Sequence, residues 1–419
     1  MTEILILADD LSGAADCASA CLSAGEAPLV LIDPKANCGG DATALAIDVD
    51  SRAMQPQEAG IAMAAAVAHF LHPNTRILYL KMDSTLRGHW ARETACALRA
   101  AAAIRGQQPL AILAPAFPAA GRTMVGGLGL LNRVALKETE TWRHAGLTRP
   151  TEPAAWLATE GLRVTLAGID EVRLGPYRLA ASFAERSAAG ADAVLCDAQT
   201  EADLDAIAGA ALALAPKPLC VGSAGLMRAL AAAGGRRPAS PALPLPVMAA
   251  GPVLIVVGSA SEVSREQVQA LVEERAVSAI MVTPSALRGG MASGRILAYA
   301  ERIDASLVSG TDLAISLTGS EGVDLREGRQ VSASLADLVA PRLHRFGGLV
   351  ATGGETAQAV LARSGASGLR IRGEVEPGVP VSSALGTIGL PVITKAGAFG
   401  DRMTLIRCLD AIRGRGVAS

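Results

Sequence analysis

The sequence predicts an α/β fold with two domains, each built on a mostly parallel sheet flanked by helices, and an active site in the cleft between them. Three observations carry this expectation. Short apolar runs alternate with longer alanine- and leucine-rich stretches along nearly all of the 419 residues, which is the pattern of buried parallel strands joined by crossover helices. Many of the runs end in Asp, Lys or Arg, or in Gly with small hydroxyl residues, and the carboxyl ends of strands are where open α/β sheets bind ligands. The pattern breaks once, at a stretch with Pro238, Pro241, Pro244 and Pro246, which forbids a helix or a central strand. The expected domains are therefore 1–236 and 251–419, joined by a linker at 237–250.

In order, residues 4–8 read as the first strand, followed by Asp9-Asp10-Leu11-Ser12-Gly13-Ala14-Ala15-Asp16 and a helix to about Ala24. Asp16 is read as the cap of that helix. Residues 29–32 and 44–49 are the next strands, the latter running into Asp50-Ser51-Arg52. A helix over about 57–71 leads to a strand at 77–80. The polar stretch Lys81-Met82-Asp83-Ser84-Thr85-Leu86-Arg87-Gly88-His89 comes next, with Ser84 or Thr85 placed to cap the helix after it. Residues 110–113, 193–196 and 219–221 are further strands, whereas about 126–177 is irregular. Beyond the prolines, strands at 253–257, 279–282, 313–317, 349–351 and 391–393 restart the alternation.

Composition excludes several classes. Formal charge is −2, with no run of one sign, and aromatics make up 3% of the chain. A nucleic-acid groove needs basic clustering and stacking rings, so no nucleic-acid partner is expected. No apolar stretch approaches the ~18–20 residues that span a bilayer, and the start has no basic region before its apolar run, so neither membrane segment nor signal peptide is expected. The seven cysteines are odd in number and lack Cys-x-x-Cys pairing. They read as buried thiols of a reducing compartment, with a cytoplasmic location.

The two halves carry different chemistry. At the strand ends of the first stand Asp9, Asp10, Arg52, Lys81, Asp83, Arg87 and Arg122. Fixed cations beside carboxylates suit a small anionic ligand with hydroxyl groups. In the second half, Gly353-Gly354-Glu355-Thr356 opens a helix, where backbone N–H groups and the helix dipole favour phosphate. Ser259 and the Gly397 to Gly400 segment offer further walls of the same pocket. This is not a P-loop, since the Lys and the spacing are missing. Gly127 and Gly129, His89, His144, and Ser223 within Gly222-Ser223-Ala224-Gly225 are read as structural. The two chemistries together fit phosphoryl transfer from Mg²⁺·ATP to a hydroxyl, with Asp83 or Asp9 as base and Lys81 near the phosphoryl group.

Several runs resemble the signatures of the four-carbon acid sugar kinases. They are Leu7-Ala8-Asp9-Asp10-Leu11-Ser12-Gly13-Ala14-Ala15-Asp16, Lys81-Met82-Asp83-Ser84-Thr85-Leu86-Arg87-Gly88, and Pro115-Ala116-Phe117-Pro118-Ala119-Ala120-Gly121-Arg122-Thr123. Thr352-Gly353-Gly354-Glu355-Thr356, Glu376-Pro377-Gly378-Val379-Pro380 and Lys395-Ala396-Gly397-Ala398-Phe399-Gly400 continue the resemblance in the same order. It implies ATP-dependent phosphorylation at O4 of D-threonate, D-erythronate or a 3-oxo-tetronate. By motif, it implies acceptor contacts from Asp9, Arg52, Lys81, Met82, Asp83 and Ser84. Arg52 and Arg87 would hold the substrate carboxylate, with Arg122 in the same site. The nucleotide contacts implied are Ser259, Gly353, Gly354, Glu355, Thr356 and Gly400. The stretch Asn132 to Lys137 is more basic than the family pattern. The 395–400 loop departs from the Lys-Ser-Gly-Asn-Phe-Gly form of the 3-oxo-tetronate branch, which favours a threonate or erythronate kinase. A 3-oxo-tetronate kinase or a non-catalytic nucleotide-dependent sensor is the alternative. Metal ligands are unassigned, and a homodimer is the expectation for a soluble enzyme of this kind.

Overall fold

Buried parallel strands are apolar on both faces, and strand β1 (Ile4–Ala8) is buried at all five positions. It belongs to a computed structural model that describes residues 2–36, 41–139, 142, 152–234, 250–259, 261–288, 294–318, 325–397 and 399–415. The chain divides into two compact units, Met1–Leu29 with Asn37–Ser240, and Val30–Ala36 with Pro241–Ser419. The expected proline-rich linker lies outside the described residues except for Ala250.

From the start of the first unit β1 leads to α1 (Leu11–Ser23), β2 (Pro28–Leu31), whose last two residues count with the second unit, and then β3 (Ala44–Asp48), α2 (Pro56–Phe70), β4 (Ile77–Lys81), α3 (Trp90–Arg105) and β5 (Ala111–Ala114). A small antiparallel sheet follows, of β6 (Arg122–Val125), β7 (Leu128–Leu131) and β8 (Val134–Ala135). The unit ends with α4 (Pro153–Thr159), β9 (Val164–Ala167), α5 (Ile169–Val172), α6 (Pro176–Ala188), β10 (Ala193–Cys196), α7 (Glu201–Ala213), β11 (Leu219–Gly222) and α8 (Ala224–Gly234). Its main sheet runs β3-β1-β4-β11-β5-β10-β9, and each of these pairs is parallel. The chain passes to one side of β1 for β3 and to the other for β4. That reversal opens a crevice at the carboxyl ends of the strands.

The irregular region thus contributes antiparallel pairing that the strand–helix alternation did not announce. Gly126 and Gly127 form the β6–β7 turn with positive φ, 58° and 76°. Their N–H groups donate to the Asp197 carboxylate at 2.7 and 2.8 Å.

The second unit contains β12 (Val253–Val257), α9 (Glu262–Arg275), β13 (Ser278–Val282), α10 (Pro284–Arg288), α11 (Gly294–Ser309), β14 (Leu313–Leu317) and α12 (Leu325–Val339). It continues with β15 (Gly348–Thr352), α13 (Gly354–Arg363), β16 (Ala366–Glu374), β17 (Pro380–Gly386), β18 (Pro391–Lys395) and α14 (Thr404–Ile412). The order β13-β14-β12-β15-β18 is parallel, and β17 and β16 extend it antiparallel. Val253, Ile255 and Val257 of β12 pack with Leu271 of α9 and with Leu405 and Leu409 of α14 in one buried core. Among the described residues no helix is long and apolar enough to cross a membrane.

Candidate functional site

Parallel registry brings Ala8 beside Asp48 and Lys81, so the loops after β1, β3 and β4 emerge side by side. Asp9 is 2% exposed, and a buried carboxylate needs partners. Arg52 supplies them, donating from Nε and Nη2 to the two oxygens of Asp9 at 2.8 Å each, and from Nη1 to Asp10 at 2.9 Å. Three donors of one planar fork are thereby used on this chain's own carboxylates. The other oxygen of Asp10 accepts from the Gly13 N–H at 2.9 Å and caps α1. The cap expected at Asp16 is therefore corrected. The helix begins at Leu11, and Asp16, inside it, accepts from Arg228 at 3.0 Å.

Lys81 ends β4 with 7% exposure. A Cβ on Gly13 would lie 2.7 Å from both its Nζ and the Asp10 carboxylate, so glycine there lets the start of α1 close over this pair. Burial acts to lower the lysine, but Asp10 and Asp9 outweigh it and hold the ammonium above its ordinary range. Asp83 lies on the following loop. Arg87 donates to its two oxygens at 2.7 and 3.0 Å, and the Thr85 hydroxyl also donates to it. Burial acts to raise Asp83, but Arg87, Arg52 and Thr85 outweigh it and hold the carboxyl well below the usual range. Burial lowers Arg122, which is drawn to Asp83 and repelled by Arg87. The seven charged groups expected from the sequence thus form one cluster. Neither Ser84 nor Thr85 caps the next helix, because α3 starts at Trp90 with His89 at its cap position. Met82 is buried, and its N–H pairs with the Gly222 carbonyl at 2.9 Å.

Two non-glycine residues of these loops, Asp50 and Leu86, hold positive φ of 51° and 62°, a conformation that persists only where the surroundings enforce it. The enforcement behind Leu86 is aromatic. Trp90 Nε1 donates to the Leu86 carbonyl and Trp142 Nε1 to the Thr85 carbonyl. Trp156 stacks on Trp90 at 5.3 Å and lies 6.1 Å from Trp142. All three tryptophans of the chain therefore back the loop of Asp83 and Arg87.

Sequence reasoning missed two buried acids beneath the cluster. Glu93 in the first turn of α3 is 1% exposed and accepts from the Ser51 hydroxyl. Burial and the nearby Asp9 push its carboxyl up to about 8. Asp48 is raised well above the usual range by burial and by Asp50, Asp10 and Asp9. In sequence each looks like an ordinary acid beside a helix or at a strand end; only burial distinguishes them. Ser223, which sits like a nucleophile, is 1% exposed and donates to the Ala116 carbonyl at 2.6 Å, a structural role.

In the second unit, registry aligns Val257, Thr352 and Lys395 at the ends of β12, β15 and β18. The three loops expected to line a nucleotide pocket are thereby neighbours. Gly353 (φ 88°) turns the chain into α13, leaving the first N–H groups of that helix at the loop. A Cβ on Gly258 would lie 1.9 Å from the Thr356 hydroxyl, and one on Gly397 would lie 2.3 Å from the Ser259 hydroxyl. These glycines are where neighbouring loops touch. Gly400 (φ 81°) is backed by Glu376, which accepts from Thr404 at 2.7 Å and Arg407 at 2.8 Å. Glu355 is half-buried in the first turn of α13. Among the described residues no group of three or more His, Cys, Asp or Glu is placed to hold a metal by itself.

Two family models match the chain. Residues 4–230 match a sugar-binding N-terminal domain model, and residues 254–405 match a nucleotide-binding C-terminal domain model. The chain is 44% identical to a D-threonate kinase of Cupriavidus necator over 97% of each chain. It is 33% identical to a D-threonate kinase of Bordetella bronchiseptica, over 98% of this chain and 97% of that one. A D-erythronate kinase of Heliobacterium modesticaldum shares 27% identity, again over 98% and 97%. A crystal structure from Salmonella typhimurium LT2 has the same fold, with TM-score 0.78 at 22% identity, covering 97% of this chain and 99% of that one.

Proposed function

The chain belongs to the four-carbon acid sugar kinases, and we propose that it transfers the γ-phosphoryl group of ATP to O4 of D-threonate. The observation that carries the choice of acceptor is the 44% identity to a D-threonate kinase against 27% to a D-erythronate kinase. The first unit takes the sugar acid and the second takes ATP.

Asp83 is the base. Each carboxylate has both oxygens on an arginine, Asp9 on Arg52 and Asp83 on Arg87, but the Asp9 side chain is 3% exposed whereas that of Asp83 is 13% exposed on a loop. An ionised Asp83 accepts the O4–H hydrogen bond and aligns the oxygen. As O4 bonds to Pγ and the bond from Pγ to the bridging oxygen breaks, the O4 proton passes to Asp83 and ADP leaves. The loose transition state asks more for alignment and charge than for a strong base, so a carboxylate of low pKa suffices. Arg52 is a locking residue here, and the substrate carboxylate goes to Arg122 and Arg87. Lys81 keeps positive charge near the transferred group.

In the second unit Ser259, Gly353, Gly354, Thr356, Gly397 and Gly400 line the nucleotide phosphates. Mg²⁺, which offsets phosphate charge, binds through one or two carboxylates together with phosphate oxygens. Glu355 is the acid at the mouth of this loop and fits that need. Buried cysteines suit a cytoplasmic setting.

ADP release with Mg²⁺·ATP and a panel of D- and L-threonate, D- and L-erythronate, 3-oxo-tetronates and glycerate tests the reading. Turnover with D-threonate above all others is expected. Silence with every four-carbon acid refutes the kinase reading, and a preference for erythronate refutes the choice of acceptor.

A further inference from the structure

Lys395 closes β18 at 1% exposure, and an ammonium that deep normally faces a carboxylate. Its Nζ instead donates to the carbonyls of Ala396, Gly397 and Phe399, at 3.0 Å each. Three donors on three carbonyls complete the hydrogen-bonding capacity of an ammonium. Two of these carbonyls, those of Gly397 and Phe399, are also held from α9 and its cap. Ser261 and Ser264 donate to the Gly397 carbonyl at 3.3 and 2.9 Å. Gln267 donates to the Phe399 and Asp401 carbonyls at 3.2 and 2.7 Å. A trans peptide points its N–H opposite to its carbonyl. Turning the Ala396 and Phe399 carbonyls onto Lys395 therefore turns the N–H groups of Gly397 and Gly400 away from it. Among the described residues neither N–H meets an acceptor.

We infer that Lys395 is a positioning residue for the nucleotide: from inside the loop it gathers the carbonyls, so that the N–H groups of Gly397 and Gly400 are presented to phosphate oxygens. Its ammonium also adds a positive charge beneath them, which reinforces the anion preference of the backbone N–H groups. This deepens the ATP reading of the second unit and rests on it. The charged and titratable groups nearest Lys395 are Cys408 and Glu376, with Arg407 beside Cys408. Burial pushes the Cys408 thiol up to about 12, so it stays neutral. Burial lowers Lys395 to about 8, against the pull of the Glu376 carboxylate. Deprotonation removes one donor and the charge, so ADP affinity falls as pH rises through that value.

The test is ADP binding by calorimetry, with KM for ATP and for D-threonate, in the parent, Lys395→Met and Lys395→Arg. Lys395→Met is expected to weaken ADP binding and raise KM for ATP by roughly 10–100-fold, a deficit of about one to two decades in affinity. KM for D-threonate should stay within about twofold, and the loss of affinity between pH 7 and 9 should disappear. Lys395→Arg should bind ADP more tightly than Lys395→Met. Ser264→Ala, which removes one neutral donor and keeps the charge, should shift ATP alone by roughly 3–10-fold and covers the case in which Lys395→Met does not fold. Absence of ADP binding by the parent refutes the nucleotide reading itself. Parent-like ADP binding and pH profile in Lys395→Met, or parent-like ADP binding and KM for ATP in Ser264→Ala should Met not fold, overturn this inference alone.

Discussion

Replacing Arg52 with Met removes the three N–H groups that hold Asp9 and Asp10, while leaving an apolar stem in their place. Asp9 is 2% exposed and the Arg52 side chain 25%. Breaking a buried pair from one side costs about 3–5 kcal/mol, and partial access of water at Arg52 argues for the lower end. In a folding unit of this size each kcal/mol moves Tm by roughly 2–4 °C. Calorimetric unfolding of the first unit should therefore start roughly 6–12 °C lower in Arg52→Met. Adding Asp9→Asn leaves no uncompensated charge at that position, so the double variant should regain more than half of the loss. Stabilisation of the second unit by ADP should be unchanged, which separates a local effect from general misfolding. A transition within about 1 °C of the parent, or strictly additive single substitutions, refutes the view of Arg52 as a lock on the two carboxylates.

Asp83→Asn should lower kcat by roughly 10²–10⁴ with little change in KM for the acid, because Asn can still accept the O4 hydrogen bond but cannot take its proton. A near-normal kcat sinks that role. Glu93 keeps its proton in the folded protein, with its carboxyl at about 8, where the unfolded chain has lost it. Its contribution to stability is thus present below the unfolded value near 4.5 and is lost as pH rises towards 8. Glu93→Gln should flatten the pH dependence of Tm across that window, and parallel curves refute the assignment. Gly258→Ala places a methyl group against Thr356; overpacking of this kind costs about 1–3 kcal/mol. It should lower the Tm of the second unit and raise KM for ATP, and a neutral result denies the close approach of those loops.

The parallel strands of both units were legible because burial on two faces writes a continuous apolar run, a signal that needs only neighbouring residues. The charges of Asp9, Arg52, Lys81, Asp83 and Arg87, and the glycines of the second unit, were legible for the same reason: they punctuate those runs. The pairing within the cluster was not. Arg52 reaches Asp9 across 43 positions because β3 lies beside β1, and strand order is a property of the whole sheet. Asp10 and Asp16 are chemically identical candidates for a cap, and only the point where α1 begins distinguishes them.

Composition, periodicity and strand-end chemistry are local, and from the sequence alone they determined an α/β chain with one polar, charged group of loops and one glycine-rich group. Tertiary structure decided which charges neutralise one another, that Glu93 and Asp48 are buried beneath the cluster, and that three tryptophans from separate segments back one loop. It also decided that Lys395 meets carbonyls held in common with α9, more than 120 positions earlier in the chain. Each of these depends on desolvation and on distances across the sheet. Such quantities exist only once strands far apart in sequence lie side by side.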